Sequence, residues 1–185
     1  MDGQTRGRDG MVPGNIQYDY GVFRGFGQVH YGTNVDQYRE LEDDTWFYRA
    51  EFEQVPAEGE RIFFVSEGID YQCELWLNGH LLCTHEGMFS RIEADLTEWL
   101  SLKKNILDIK ILPHPSSGCP RGTGRAEAKD SCKSPVEYGW DWHPRLLTSG
   151  LWQNAWIERR GKDDIRDCRV CYQLNETRSA AQIFF

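Results

Sequence analysis

No apolar run in this 185-residue chain approaches the ~18 residues that a membrane-spanning helix needs. No membrane partner is expected. The opening residues, MDGQTRGRDG, lack the apolar stretch of a secretory signal peptide. If that start is genuine the chain is cytoplasmic; otherwise its true beginning lies upstream. Positive charge is scarce too. Lys and Arg number 21 against 29 Asp and Glu, giving a net charge of −8. Such a surface repels phosphate backbones, and no Lys/Arg cluster supplies a local basic patch, so nucleic acid is not expected as a partner. No G-x-S-x-G occurs, and the five His show no H-E-x-x-H or comparable spacing. Gly118-Cys-Pro-Arg-Gly-Thr-Gly124 lacks the Gly-Lys-Ser/Thr of a phosphate loop and reads as flexible backbone. Asn175-Glu-Thr177 matches a glycosylation pattern too short to carry weight, and no internal repeat is evident.

Cysteine is present but sparse. Six Cys in a chain of this length are too few for a disulfide scaffold. Cys168-Arg-Val-Cys171 is not followed by a second such pair or by paired His, so the zinc reading has little behind it. Cys119 and Cys132 share one long loop and are able to meet there, although a reducing compartment would leave them as thiols. Leu75-Trp-Leu-Asn-Gly-His-Leu-Leu82 spells a two-residue Asn-Gly hairpin. A regular register places Cys73 opposite Thr84 and Cys83 opposite Glu74. The two thiols then point to opposite faces and cannot bond.

What the chain has is period-2 patterning. Trp46, Tyr48, Ala50 and Phe52 alternate with Phe47, Arg49, Glu51 and Glu53, and 105–112 alternates again with Leu107, Ile109 and Ile111 on one face. RIFFVS, 61–66, is apolar throughout and reads as a strand buried on both faces. The hairpin covers 71–77 and 80–85, and further strands are expected at 89–94 and 152–158. Asp95 reads as the N-cap of one helical turn. Residues 1–40 look Gly-rich and irregular. Residues 113–135 hold four Pro and three Gly and form a loop longer than the ~12–15 residues usual in a single domain, which marks it as functional or disordered. Many short strands and few helices argue an all-β sandwich. Residues 161–164 read as a linker, and 165–185 as two strands of a second β domain within which the chain stops.

The residues best suited to chemistry lie in Tyr138-Gly-Trp-Asp-Trp-His-Pro-Arg145. A sugar site needs a flat apolar face and a carboxylate that accepts from neighbouring hydroxyls. Trp140 or Trp142 can supply the first and Asp141 the second. On an extended segment the two indoles point one way and Asp141 the other, so all three face a ligand only if the segment bends. The alternative is that both Trp pack inside and Asp141 bonds local backbone N–H groups. His143 reads as a packed or capping residue, and Glu42-Asp43-Asp44 as a solvated turn. Arg49, on a strand, suits a structural ion pair. Nothing forms a self-contained catalytic constellation.

An ordered set of stretches resembles the N-terminal domain of glycoside hydrolase family 2, in its β-mannosidase-like branch. The set is Val12-Pro-Gly14, Gly32-Thr-Asn34, Trp46-Phe-Tyr-Arg49 with Glu51-Phe52, Glu67-Gly-Ile-Asp70, Trp76-Leu-Asn-Gly79 and His85-Glu-Gly-Met-Phe89. It continues with Asp95-Leu-Thr97, Asn105-Ile-Leu107, Tyr138 to Arg145 and Ser149-Gly-Leu-Trp152. The resemblance implies a jelly-roll β-sandwich of the galactose-binding type over residues 1–162. It makes residues 163–185 the first strands of an immunoglobulin-like β-sandwich. In the family a (β/α)8 barrel follows and carries the two Glu of a retaining mechanism. That barrel is not within these residues, so no catalytic residue is assigned and the chain alone is expected to be inactive. The family's Trp-Asp-Trp segment helps shape the pocket for the terminal sugar. This makes Trp140, Asp141 and Trp142 the substrate-binding candidates and a β-linked sugar such as a terminal β-mannoside the expected partner, together with the barrel. No cofactor is expected; a structural Ca²⁺ is compatible with the fold, but no ligand set can be named. Two alternatives share the same sandwich: a stand-alone carbohydrate-binding module and a β-sandwich for protein assembly.

Overall fold

The structure, a computed structural model, describes residues 9–115, 117–165 and 167–185. Nine strands are found among these: β1 (Trp46–Phe52), β2 (Arg61–Ser66), β3 (Gln72–Leu77), β4 (His80–Glu86), β5 (Ile92–Asp95), β6 (Asn105–Ile111), β7 (Ala155–Arg160), β8 (Cys171–Leu174) and β9 (Ala181–Phe184). The first seven make two antiparallel sheets, ordered β1-β6-β3-β4 and β5-β2-β7. This is the expected jelly-roll sandwich. Its core lies where the alternating inward positions of the two sheets meet. Leu75 and Leu77 of β3, Leu107, Ile109 and Ile111 of β6, and Ile62 and Phe64 of β2 form one buried cluster.

Strand β2 is buried on both faces, as its composition suggests, and basic side chains help cover Phe63. The Arg160 guanidinium lies 4.0 Å from the Phe63 ring centroid, and Arg61 lies 5.1 Å from it. Arg160 is held there by ion pairs to Glu93 and Glu158. Long basic side chains thus cover apolar surface while their charged ends stay paired. Arg49 meets Asp108 across β1 and β6 through two hydrogen bonds of 2.6 and 2.8 Å.

Three readings of the sequence change. The stretch taken as irregular contains a helix, α1 (Ile16–Arg24), capped by the Asn15 side chain and stopped by Gly25 at φ 72°. It also contains a 3-10 helix over Asn34–Leu41; residues 1–8 of that stretch lie outside the described residues. The β3–β4 hairpin turns at Asn78 and Gly79, both with positive φ, but it is not regular. The register slips between Leu75 and Trp76, so Cys73 faces His85 and Cys83 faces Leu75. One extra residue reverses the side-chain faces beyond it. Cys83 therefore packs against the same core as Cys73. Both are free thiols, as are the other four, but opposite faces are not the reason. The third change concerns residues 152–158: the strand begins at Ala155, and Trp152 instead donates its indole N–H to the Met88 carbonyl at 2.7 Å.

On the β1/β7 side the sandwich stands open. A cleft of about 900 Å³ runs between the sheets, lined by Trp46, Tyr48, Ile157 and Tyr20 of α1 among others. Strands β8 and β9 pair as a hairpin in which every residue is exposed. No helix among the described residues is long and apolar enough to cross a membrane.

Candidate functional site

The segment Trp140–His143 bends. Trp140 N–H donates to the His143 carbonyl at 2.9 Å and His143 N–H returns the bond to Trp140 at 3.3 Å. Asp141 and Trp142 occupy the tip of this tight turn. Gly139, at φ 109°, leads into it in a conformation that side-chain-bearing residues rarely adopt. The segment is thus bent and not extended. Exposure removes the alternative in which both indoles are core: Trp140 is 41% exposed and Trp142 72%. The Asp141 carboxylate is exposed, and no hydrogen bond to it is found among the described residues.

The two indoles are not equivalent. The Arg125 guanidinium lies 4.9 Å from the Trp140 ring centroid, so a cation already covers one face of Trp140. Trp142 meets the His143 ring edge to face, with centroids 6.1 Å apart. Trp142 is the more open of the two indoles.

Beneath the turn lies a second small core of Ala128, Tyr138 and Leu147. Two 3-10 helices of the long loop region, Gly124–Ala128 and Pro135–Tyr138, contribute to it. The part of the expected loop from Gly124 onward is therefore folded into helical turns.

Two buried ionic clusters lock this region, and neither was legible from spacing. In the first, Arg145 binds Glu42 through Nε and Nη2, at 2.8–3.1 Å, and Glu127 through Nη1 and Nη2, at 2.8 and 3.0 Å. Its Nη1 also reaches the Tyr138 carbonyl at 3.4 Å. Burial opposes the Arg145 charge, but the two carboxylates overcome that and hold its pKa above the usual value. Glu42 is thus no part of a solvated turn: it is 5% exposed and ion-paired to a residue 103 positions away. Its neighbour Asp43 pairs with Arg121, which holds the Asp43 carboxyl below its ordinary value.

In the second cluster the fully buried Lys133 ammonium bonds both Asp70 oxygens, at 2.7 and 2.8 Å, and the Thr148 carbonyl at 2.8 Å. Glu137 stands 3.3 Å away. Burial pushes the Asp70 carboxyl up to about 6, against the opposing pull of Lys133. Asp70 and Gly150 exchange backbone hydrogen bonds of 2.8 Å, which ties this pair to the start of the Gly150-Leu-Trp152 stretch. Neighbouring Ser149 bonds His114 through its hydroxyl at 3.2 Å and donates its backbone N–H to the Gln17 side-chain oxygen at 2.9 Å. Burial, with Lys133 and Arg145 adding repulsion, lowers His114 to about 3. Among the described residues no group of three or more His, Cys, Asp or Glu is placed to hold a metal ion.

The sandwich, with a two-Trp turn projecting beside it, is a galactose-binding-like jelly roll. The chain belongs to the glycosyl hydrolase 2 galactose-binding domain-like family, whose model matches residues 4–153. It is 28% identical over 141 residues to a β-mannosidase B of Emericella nidulans, covering 69% of this chain and 17% of that protein. It is 31% identical over 133 residues to a mannosylglycoprotein endo-β-mannosidase of Lilium longiflorum, covering 68% and 14%. The crystal structure of a β-D-mannosidase from Dictyoglomus thermophilum superposes with a TM-score of 0.71 at 26% identity, over 95% of this chain and 23% of that one. An exo-chitosanase from Amycolatopsis orientalis shares the fold at a TM-score of 0.68 and 18% identity, over 91% and 19%. The chain thus spans less than a fifth of the length of these curated relatives.

Proposed function

We propose that this chain is the sugar-recognition part of a β-mannosidase-like glycoside hydrolase, with Trp142 as the stacking platform and Asp141 as the acceptor for sugar hydroxyls. The observation that supports the reading is the turn: its tip carries a carboxylate with no hydrogen-bond partner among the described residues next to an exposed indole, and Trp140, with one face covered by Arg125, is read as the wall. A site built to hydrogen-bond hydroxyls discriminates sharply against sugars that misplace them. The names of the relatives point to a terminal β-mannoside as the ligand. Residues 1–162 form the recognition domain and 163–185 open the next, immunoglobulin-like sandwich, whose remaining strands would cover the bare β8–β9 hairpin. Hydrolysis belongs to a barrel outside these residues, and no cofactor enters recognition. A second reading, protein assembly, is favoured only by the apolar cleft beside β1 and β7, which shares no residue with the turn.

The test is a calorimetric titration of the chain with methyl β-mannoside, repeated on Asp141→Ala. Binding in the millimolar range that falls at least tenfold in the variant, with thermal stability unchanged, is the expected result. Equal affinity in both proteins removes Asp141 from the site. Turnover of an aryl β-mannoside by the purified chain would contradict the assignment of hydrolysis to the barrel.

A further inference from the structure

All five N–H donors of Arg145 are spent inside the protein. Two serve Glu42 and Glu127 through Nη2, two serve Glu127 and the Tyr138 carbonyl through Nη1, and Nε serves Glu42. A side chain so engaged has nothing left to offer a ligand. It does join three segments that lie far apart in sequence. Glu42 follows the 3-10 helix Asn34–Leu41, Glu127 belongs to the 3-10 helix Gly124–Ala128, and Arg145 itself stands three residues after Trp142. Glu127 does more than neutralise Arg145. Its Oε1 also accepts the backbone N–H groups of Gly122 and Gly124, at 2.8 and 3.2 Å. It therefore shapes the loop that carries Arg125 to the face of Trp140.

We propose that Arg145 is the positioning residue of the Trp140–His143 turn and, through Glu127, of the Arg125 guanidinium that covers one face of Trp140. The inference rests on the reading of that turn as the sugar site. Arg145 fixes which indole face is open and where Asp141 stands, without touching the sugar. A lysine cannot replace it: a point charge on a flexible stem cannot hold two carboxylates and a carbonyl in the fixed geometry of a planar fork.

The experiment uses the ¹⁵N-labelled 185-residue chain and its Arg145→Lys variant. The indole N–H resonances of Trp140 and Trp142 are assigned through Trp140→Phe and Trp142→Phe. In Arg145→Lys these two resonances shift or broaden while those of the other five Trp hold, and affinity for methyl β-mannoside falls at least tenfold. In an Asp141→Ala background the same substitution changes affinity by less than twofold, because both act through one contact. Should Arg145→Lys fail to fold, Glu127→Gln gives the same selective shift by removing one of the two carboxylates. The proposal is overturned if both indoles and the affinity stay unchanged. It is overturned equally if all seven Trp move together and the affinity losses add, for Arg145 would then support only the fold. If the wild type binds no sugar yet Arg145→Lys moves the two indoles selectively, the positioning role stands and the sugar reading falls.

Discussion

Replacing Asp70 by Asn should remove a large part of the domain's stability. The carboxylate is 1% exposed and holds the fully buried Lys133 ammonium through two hydrogen bonds of 2.7 and 2.8 Å. Asparagine keeps the size but not the charge, and leaves Lys133 with the Thr148 carbonyl and the more distant Glu137. Breaking a buried pair from one side costs about 3–5 kcal/mol, because the surviving charge cannot return to water. Glu137 takes up part of the charge, which places the expected loss near 3 kcal/mol, or roughly 10 °C in Tm for a domain of this size. The converse substitution, Lys133→Met, behaves differently because a carboxyl can neutralise itself. Burial has already raised Asp70 to about 6, and removing Lys133 raises it further. A carboxyl whose pKa is raised in the fold contributes stability below its unfolded value, and that stability is lost as pH rises through the folded value. The cost of Lys133→Met therefore grows by about 1.4 kcal/mol per pH unit between about 6, where the wild-type carboxyl titrates, and the still higher value in the variant, and is level above that; it is smaller at pH 5 than at pH 8. Urea unfolding followed by Trp fluorescence at those two pH values measures both variants. A loss under about 1 kcal/mol for Asp70→Asn, or no pH dependence in the cost of Lys133→Met, would refute this account of the cluster.

Two further outcomes follow from the same structure. His114, lowered from 6.5 to about 3, contributes stability above pH 6.5 that drains as pH falls, at about 1.4 kcal/mol per unit. Asp70 protonation works in the opposite direction below about 6, so His114→Gln should gain on the wild type steadily between pH 6.5 and 4.5; parallel unfolding curves across that range would contradict it. Asn78→Ala removes bonds to the Trp99 carbonyl, Asn105 and the Ile106 N–H, at 2.8–2.9 Å, and puts a side chain without an amide at φ 50°. It should cost about 2 kcal/mol, read from the urea midpoint; a loss within 0.5 kcal/mol, the usual range for a plain surface site, would remove Asn78 as a linchpin of the hairpin.

The strands were legible because their chemistry is local. Alternation in 46–52 and 105–111 and the apolar run at 61–66 each state a burial pattern within one element, and the Asn-Gly pair states its turn. Helix α1 was equally local: Pro13-Gly14-Asn15 ahead of Ile16, with Gly25 at the end, spells a start and a stop. Its signal was lost among the surrounding glycines, Gly21 included. The slip in β3–β4 carries no mark in the residues that make it. The turn at 140–143 could be named but not shaped, because its bend rests on backbone bonds and on Gly139. Least legible were the two ionic clusters. Arg145 meets Glu42 across 103 residues and Lys133 meets Asp70 across 63, and no spacing rule reaches so far. Glu42, within three consecutive acids, gave the opposite impression.

The claim that matters most is that the tip of the Trp140–His143 turn meets the sugar. The most direct test is a titration of the labelled chain with methyl β-mannoside, following the seven indole N–H resonances by NMR. The account predicts that Trp142 moves most, Trp140 less, and the remaining five hardly at all, with the response abolished in Asp141→Ala. Perturbation centred on Trp46 or Trp156 in the β1/β7 cleft, or none at any indole, would contradict it.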